Sequence, residues 1–277
     1  MPRKVIITVA LTGNVPTKEM TPHLPVTPQE IADQAYACWK EGAAVAHIHA
    51  RDDKGLPTSS VDVYRQIMEC LAGKKDCDII TQLSTGGRAG NSALERGQMI
   101  CLAPEMASLA TGSSNFPAKA NLNDPDTISH LNSEMAKYNV KPEIEVFDAA
   151  MLHNAVHMAS KGVLSAPLQF NFVLGVPGSL PATPKNLFYL YESLPAECTW
   201  TVTAIGRRQV ELAAMALALG GNVRVGLEDN VFYDYEKKSL ATNVDLVKRV
   251  RNIALAMGLE IADAQEARRM LSLPTKN

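Results

Sequence analysis

The sequence predicts one α/β domain over residues 1–277, a closed (β/α)8 TIM barrel, on three observations. Eight strand-like runs rich in Val, Ile and Leu alternate with polar loops and helical stretches, and such alternation demands a parallel sheet. Eight units suit a barrel of about 250 residues. The first run leads into Ala10-Leu11-Thr12-Gly13-Asn14 and not into a G-x-G-x-x-G turn, which argues against a doubly wound dinucleotide-binding sheet. The third observation is side-chain facing. Leu168, Phe170 and Phe172 share one face of their run, with Gln169 and Asn171 on the other; Glu143 and Glu145 likewise oppose Ile144 and Val146. Apolar faces meet helices and polar faces point inward, which implies a wet, charged pocket at the top of the barrel.

The predicted strands are Lys4–Leu11, Ala44–His49, Asp78–Ser84, Met106–Ala110, Glu143–Phe147, Leu168–Leu174, Trp200–Ala204 and Val223–Leu227. The first helix is announced by the capping box Thr27-Pro28-Gln29-Glu30, with Pro at the first helical position and Gly42 past the end. Helices over Pro125–Tyr138, Pro184–Ser193, Gln209–Leu219 and Asn243–Met257 follow, and Asp263-Ala264-Gln265-Glu266 opens the last. No linker, low-complexity stretch or internal repeat interrupts the pattern.

Composition narrows the function classes. A formal net charge of −2 gives no electrostatic case for nucleic acid or an anionic membrane surface. The N-terminal apolar run is strand-like, no cleavage pattern follows it, and no run of about 18 apolar residues could span a bilayer. Five cysteines without a C-x-x-C pair fit a reduced, cytoplasmic chain, with Cys38 and Cys70 on helical apolar faces.

The chemistry concentrates where barrel strands end. The second run closes on His47-Ile48-His49, two imidazoles on one side of a strand and close enough to grip one metal ion. On the eighth run, alternation puts Arg224, Gly226 and Glu228 on one face. Glu228 completes a two-histidine, one-carboxylate set with positions open for water or substrate, which suits catalytic zinc. Asp229 beside it is a candidate base. The turn Ser84-Thr85-Gly86-Gly87 is either a tight βα loop or a cradle for a carboxylate. Glu228-Asp229 would alternatively serve as an acid pair at a helix N-terminus. His153 and His157 stand at i, i+4 without an acidic third ligand, and His23 and His130 read as surface or packing histidines. The loop Gly175–Pro184 reads as a surface loop in preference to a lid.

Many further motifs, in one order along nearly the whole chain, resemble the β-keto acid cleavage enzymes, whose founding activity is 3-keto-5-aminohexanoate cleavage. They include Thr12-Gly13, Leu24-Pro25-Val26-Thr27-Pro28, His47-Ile48-His49-Ala50-Arg51, Gln82-Leu83-Ser84-Thr85-Gly86-Gly87 and Pro104-Glu105-Met106-Ala107-Ser108-Leu109. Pro142–Phe147, Phe172–Gly178, Pro184–Leu187, Ile205-Gly206-Arg207 and Gly226–Asn230 continue the series. The resemblance implies a zinc-dependent barrel, a homotetramer, acting on a small β-keto acid and acetyl-CoA to give acetoacetate and a new acyl-CoA. It implies zinc at His47, His49 and Glu228, substrate held by Ser84, Gly87 and Ser108, and enolate formation by Arg224 and Asp229. The implied course is removal of a C2 proton by Asp229, oriented by Arg224, attack of the enolate on acetyl-CoA, and retro-Claisen cleavage.

One position departs from the pattern. Val15 matches a glutamate in the family member that acts on the amino-bearing substrate, and burying an ammonium without a partner is costly. The departure predicts a keto acid with a neutral tail, or a quaternary ammonium such as dehydrocarnitine. Rival functions are a zinc aldolase or hydrolase without CoA, and a non-catalytic metal or acyl-CoA binding protein. Arg207, Arg208 and Lys185 are candidates for the CoA phosphates, against the simpler reading of solvated surface charge.

Overall fold

The computed structural model describes residues 2–87, 92–117 and 119–273. Eight parallel strands close into one barrel in sequence order: β1 (Ile7–Ala10), β2 (Val45–Ile48), β3 (Ile80–Leu83), β4 (Met106–Ala110), β5 (Lys141–Val146), β6 (Gln169–Leu174), β7 (Thr199–Ala204) and β8 (Asn222–Val225). All eight lie within two residues of the predicted runs or inside them. The register places Ala10 beside His47 and His47 beside Gln82, and it sets Arg224 beside Thr8, two residues nearer the strand starts.

Helices cover the outside: α1 (Pro28–Lys40), α2 (Val61–Ala72), α3 (Ala93–Gly97), α4 (Pro125–Lys137), α5 (Ala149–Ser160), α6 (Pro184–Glu192), α7 (Gln209–Leu219), α8 (Asn243–Ala256) and α9 (Ala264–Met270). Thr27 caps α1 through the expected box, and Asp263 caps α9 in the same way. The helices of nine residues or more bury apolar residues beneath them. Ile31, Ala35 and Cys38 of α1 and Leu246, Val247 and Val250 of α8 are fully buried in the main core.

The two ends of the barrel differ. At the bottom, Ile6, Ala44, Val45, Ile80 and Met106 pack against Ala262, Ala267, Leu271 and Leu273, so the C-terminal helix plugs the barrel with hydrocarbon. A parallel pairing of Lys4–Val5 with Glu260–Ile261 ties that helix down. Above this layer the interior turns polar. Gln82, Glu143, Asn171, Thr203 and Arg224 are all buried there, with Asn171 donating to Glu143 at 3.1 Å and Thr203 donating to Asn171 at 2.7 Å. Of the inward-facing polar rows predicted for the fifth and sixth strands, Glu145 lines the upper cavity, while Glu143, Gln169 and Asn171 are buried and do not reach it. No described helix is long and apolar enough to cross a membrane.

Candidate metal centre and active site

β2 ends at Ile48, so His47 is inside the strand and His49 is the first residue beyond it. Their Nε2 atoms nevertheless meet at 3.2 Å, both directed into the barrel. Gln82, one strand away, fixes His47: its Oε1 lies 2.7 Å from His47 Nδ1. An amide oxygen can only accept, so Nδ1 carries the proton and Nε2 keeps its lone pair. Burial, with Arg224 adding to it and Glu228 opposing, pushes the His47 imidazole down to about 3. It is neutral, the form that binds metal.

Glu228 arrives by a different route from strand alternation. The eighth strand stops at Val225, and the chain turns through Gly226 at φ +151, where a Cβ would lie 2.0 Å from the Ala10 carbonyl oxygen. Asp229 and Asn230 donate their N–H groups back to the Gly226 carbonyl, closing the turn. Gly13, at φ +62, makes room on the other side, since a Cβ there would stand 2.4 Å from Glu228 Cγ. Between these two glycines Glu228 Oε1 reaches 3.2 Å from His49 Nε2 and 3.7 Å from His47 Nε2.

The resulting triangle fits a metal ion. Ligands bound at about 2.0–2.1 Å in a tetrahedron stand roughly 3.3 Å apart, close to the spacings found. Among the described residues this is the one cluster of three such ligands. Glu228 Oε2 is buried and has no hydrogen-bond partner, an orphaned acceptor that an ion or its bound ligand would satisfy.

Arg224 organises the carboxylates beside the triangle. Its Nε donates to Asp229 Oδ2 at 3.0 Å, and its Nη2 donates to Asp229 Oδ1 at 2.9 Å and to Glu228 Oε1 at 2.6 Å. Because the strand has ended, Asp229 does not face away as an extended chain would place it; it shares the Arg224 fork with Glu228. Burial opposes ionisation of Glu228, but Arg224 and the two histidines outweigh it and hold the group well below the usual carboxylate range. Burial instead lifts Asp229 to about 6, with Glu228 adding and Arg224 opposing. Glu145, whose Oε1 is 3.8 Å from Arg224 Nη1, is pushed by burial to about 8.

A cavity of about 520 Å³ opens over this floor. His49, Ser84, Gly87, Arg224, Glu228, Asp229 and Val15 all line it. Ser108 does not: it is fully buried one layer behind, its hydroxyl accepting the Thr85 N–H at 3.1 Å. Ser84 Oγ accepts the Gly86 N–H at 3.1 Å and shapes the turn. The remaining wall is largely apolar, with Phe116, Phe147, Val173, Val176 and Phe232, so the segment Gly175–Pro184 contributes wall residues. His153 and His157 are exposed on α5, away from any third ligand among the described residues. Arg207 stacks on Tyr235, Arg208 pairs with Glu211 and Lys185 is exposed; none of the three lines the cavity.

Sequence reasoning missed the groups behind the first contacts. Buried Arg51 donates to the carbonyls of Gly13 and Pro16 at 2.9 Å each, pinning the loop that carries Asn14 and Val15. Buried Arg96 does the same for the neighbouring loops, donating to Thr85 O, Leu122 O and Asn123 Oδ1. Gln82 could have been found from strand parity, since it falls level with His47. The arginines carry no local signal, because their partners are backbone carbonyls.

A barrel whose floor sets two histidines and a carboxylate beside an arginine-held acid has the ligand set of a candidate metal site. The comparisons assign the family: residues 4–273 match the beta-keto acid cleavage enzyme model, and the chain belongs to that family. It is 43% identical over 275 residues to a 3-keto-5-aminohexanoate cleavage enzyme of Fusobacterium nucleatum, covering 99% of each chain. It is 41% identical over 279 residues to a 3-oxoadipate:acetyl-CoA acetyltransferase of Cupriavidus necator, covering 99% of this chain and 97% of that one. Among solved structures, the apo structure of ObcA superimposes with a TM-score of 0.79 at 23% identity, covering 92% of this chain and 66% of that one, a likeness of fold.

Proposed function

We propose that the chain, as one barrel domain, is a zinc-dependent acyltransferase that converts a β-keto acid and acetyl-CoA into acetoacetate and a new acyl-CoA. The observation that carries this reading is the His47–His49–Glu228 triangle sharing Arg224 with a buried carboxylate, Asp229. Relatives that cover nearly the whole chain bear names of this reaction type. Zinc, when bound to the three side chains, supplies a Lewis acid that polarises the keto oxygen and acidifies the protons at C2. Asp229 takes one of those protons. Its two hydrogen bonds from Arg224 fix the carboxylate in orientation, and Arg224 disperses the charge that stays on the floor once substrate is bound. Ser84 and the Gly86–Gly87 turn, which lies against His49 at the floor, hold the substrate carboxylate there, and Ser108 steadies that turn from behind through the Thr85 N–H. Val15, on the loop clamped by Arg51, borders the substrate tail and offers no partner for a primary ammonium. A homotetramer in the cytoplasm is the assembly and compartment that accompany this reading.

One incubation tests it: purified protein with measured zinc, acetyl-CoA and a panel of β-keto acids, read by mass spectrometry. Acetoacetate and a matching acyl-CoA are expected. No acyl exchange with any acid, zinc being present, would leave an aldolase acting without CoA as the better reading.

A further inference from the structure

The charged groups lining the cavity fall into two sets. Glu145, Arg224, Glu228 and Asp229 belong to one contact network around the histidines. Lys237 stands apart, exposed at the mouth, and among the described residues it forms no ion pair; its neighbour Lys238 takes Glu236 instead.

The backbone shows that this lysine is placed with care. Lys237 sits at φ +62, a left-handed conformation that glycine or asparagine adopts far more readily. The conformation is held by a tight loop. Tyr233 N–H donates to Ser239 O at 2.8 Å, and the Asp234 carboxylate accepts the N–H groups of Lys238 and Ser239. The side chain then lies over the Phe232 ring, with Nζ 5.6 Å from its centroid, and Phe232 is itself cavity wall. Strain of this kind at a non-glycine residue in a binding loop points to a use for the side chain.

We propose that Lys237 reads the substrate tail, and that the β-keto acid accepted here ends in a second carboxylate. This rests on the acyl-transfer reading of the metal site. With the first carboxylate and the keto group drawn to the floor, the tail runs along the apolar wall toward the mouth, where an unpaired ammonium awaits an anion. The phosphates of CoA lie a whole pantetheine arm beyond the thioester, outside a cavity of about 520 Å³, whereas Lys237 lines the cavity itself. A quaternary ammonium tail, which the absence of charge at Val15 left open, would meet this cation with no lining carboxylate outside the floor network. The tail is anionic.

The test compares two six-carbon 3-oxo acids that differ only at the end, 3-oxohexanedioate and 3-oxohexanoate, with saturating acetyl-CoA. The wild type should favour the diacid. Lys237→Met should raise its KM roughly tenfold, the weight of one charge-assisted hydrogen bond, and leave KM for 3-oxohexanoate unchanged; Lys237→Arg should restore the preference. Equal loss on both acids, a higher KM for acetyl-CoA with either, or no change would overturn the proposal. Binding of the unreactive pair hexanedioate and hexanoate to the zinc-loaded protein, by calorimetry, gives a reading independent of turnover. Hexanedioate should bind the wild type more tightly and lose that advantage in Lys237→Met; equal affinities would refute the lysine's role even if acyl exchange proceeds, and a clear difference would support it even if exchange fails.

Discussion

Asp229 and Glu228 are neighbours in sequence and both bonded to Arg224, Asp229 buried and Glu228 part-buried, yet their environments drive them apart. Burial opposes ionisation of both; at Glu228 Arg224 and both histidines outweigh it, whereas at Asp229 burial, with the Glu228 charge adding, lifts the group to about 6 against Arg224 and His49. One is suited to hold an ion and the other to exchange a proton. Asp229→Asn keeps the shape and a hydrogen bond from Arg224 while removing the base. Turnover should fall roughly 10²–10⁴-fold, with zinc content unchanged by elemental analysis; near-normal turnover would take Asp229 out of the base role. Gln82 makes its contribution through His47. Replacing it by Leu removes the acceptor that fixes the tautomer, and zinc affinity should weaken roughly 10–100-fold, measured by competition with a chelator. Unchanged affinity would mean that the ring is held by packing alone.

At the scale of elements, the strands deliver the histidines and the loops deliver everything else. Gly13 and Gly226 let the first and eighth strand ends approach closely enough for Glu228 to join His47 and His49. Gly13→Ala would drive a methyl into the Glu228 side chain while also straining a left-handed backbone. The variant should fold but lose zinc in dialysis that leaves the wild type loaded; full zinc retention would show that the loop yields. These loops also mark where sequence reading reached its limit. Barrel order and the His47–His49 pair follow from period-two alternation, and Thr27 and Asp263 announce their helices by capping chemistry. Glu228 was found by alternation, although the strand ends at Val225 and it is the turn at Gly226 that carries the residue inward. The helix α3 had a legible start in Ser92-Ala93-Leu94-Glu95, a capping box, but its five residues are too few to show a periodic stripe. Arg51 and Arg96 stayed hidden because an arginine bound to carbonyls has no partner residue in the sequence to betray it.

For the whole molecule, the two ends of the barrel divide the work. The top holds buried charge, an orphaned acceptor and strained loop residues, all features that lower stability in exchange for a site. The bottom is a hydrocarbon plug, with Leu271 of the C-terminal segment buried against Ile6, Val45, Ile80 and Met106. Two perturbations should therefore separate. Leu271→Ala leaves a cavity in the plug and should destabilise the fold by about 2–5 kcal/mol, read from the urea midpoint, while zinc content and kcat stay at the wild-type level at 25 °C. Removing zinc with a chelator should abolish turnover and lower the melting temperature by linkage, about 2.7 kcal/mol when free metal stands at 100 times its dissociation constant. Restoring zinc recovers both. If Leu271→Ala lost activity in proportion to its stability, the plug would be coupled to the floor through the stacked interior layers. Glu143, Asn171 and Thr203, joined to one another by hydrogen bonds, form a buried polar layer of the interior, and the expected retention of activity rests on that layer holding its arrangement when the plug repacks.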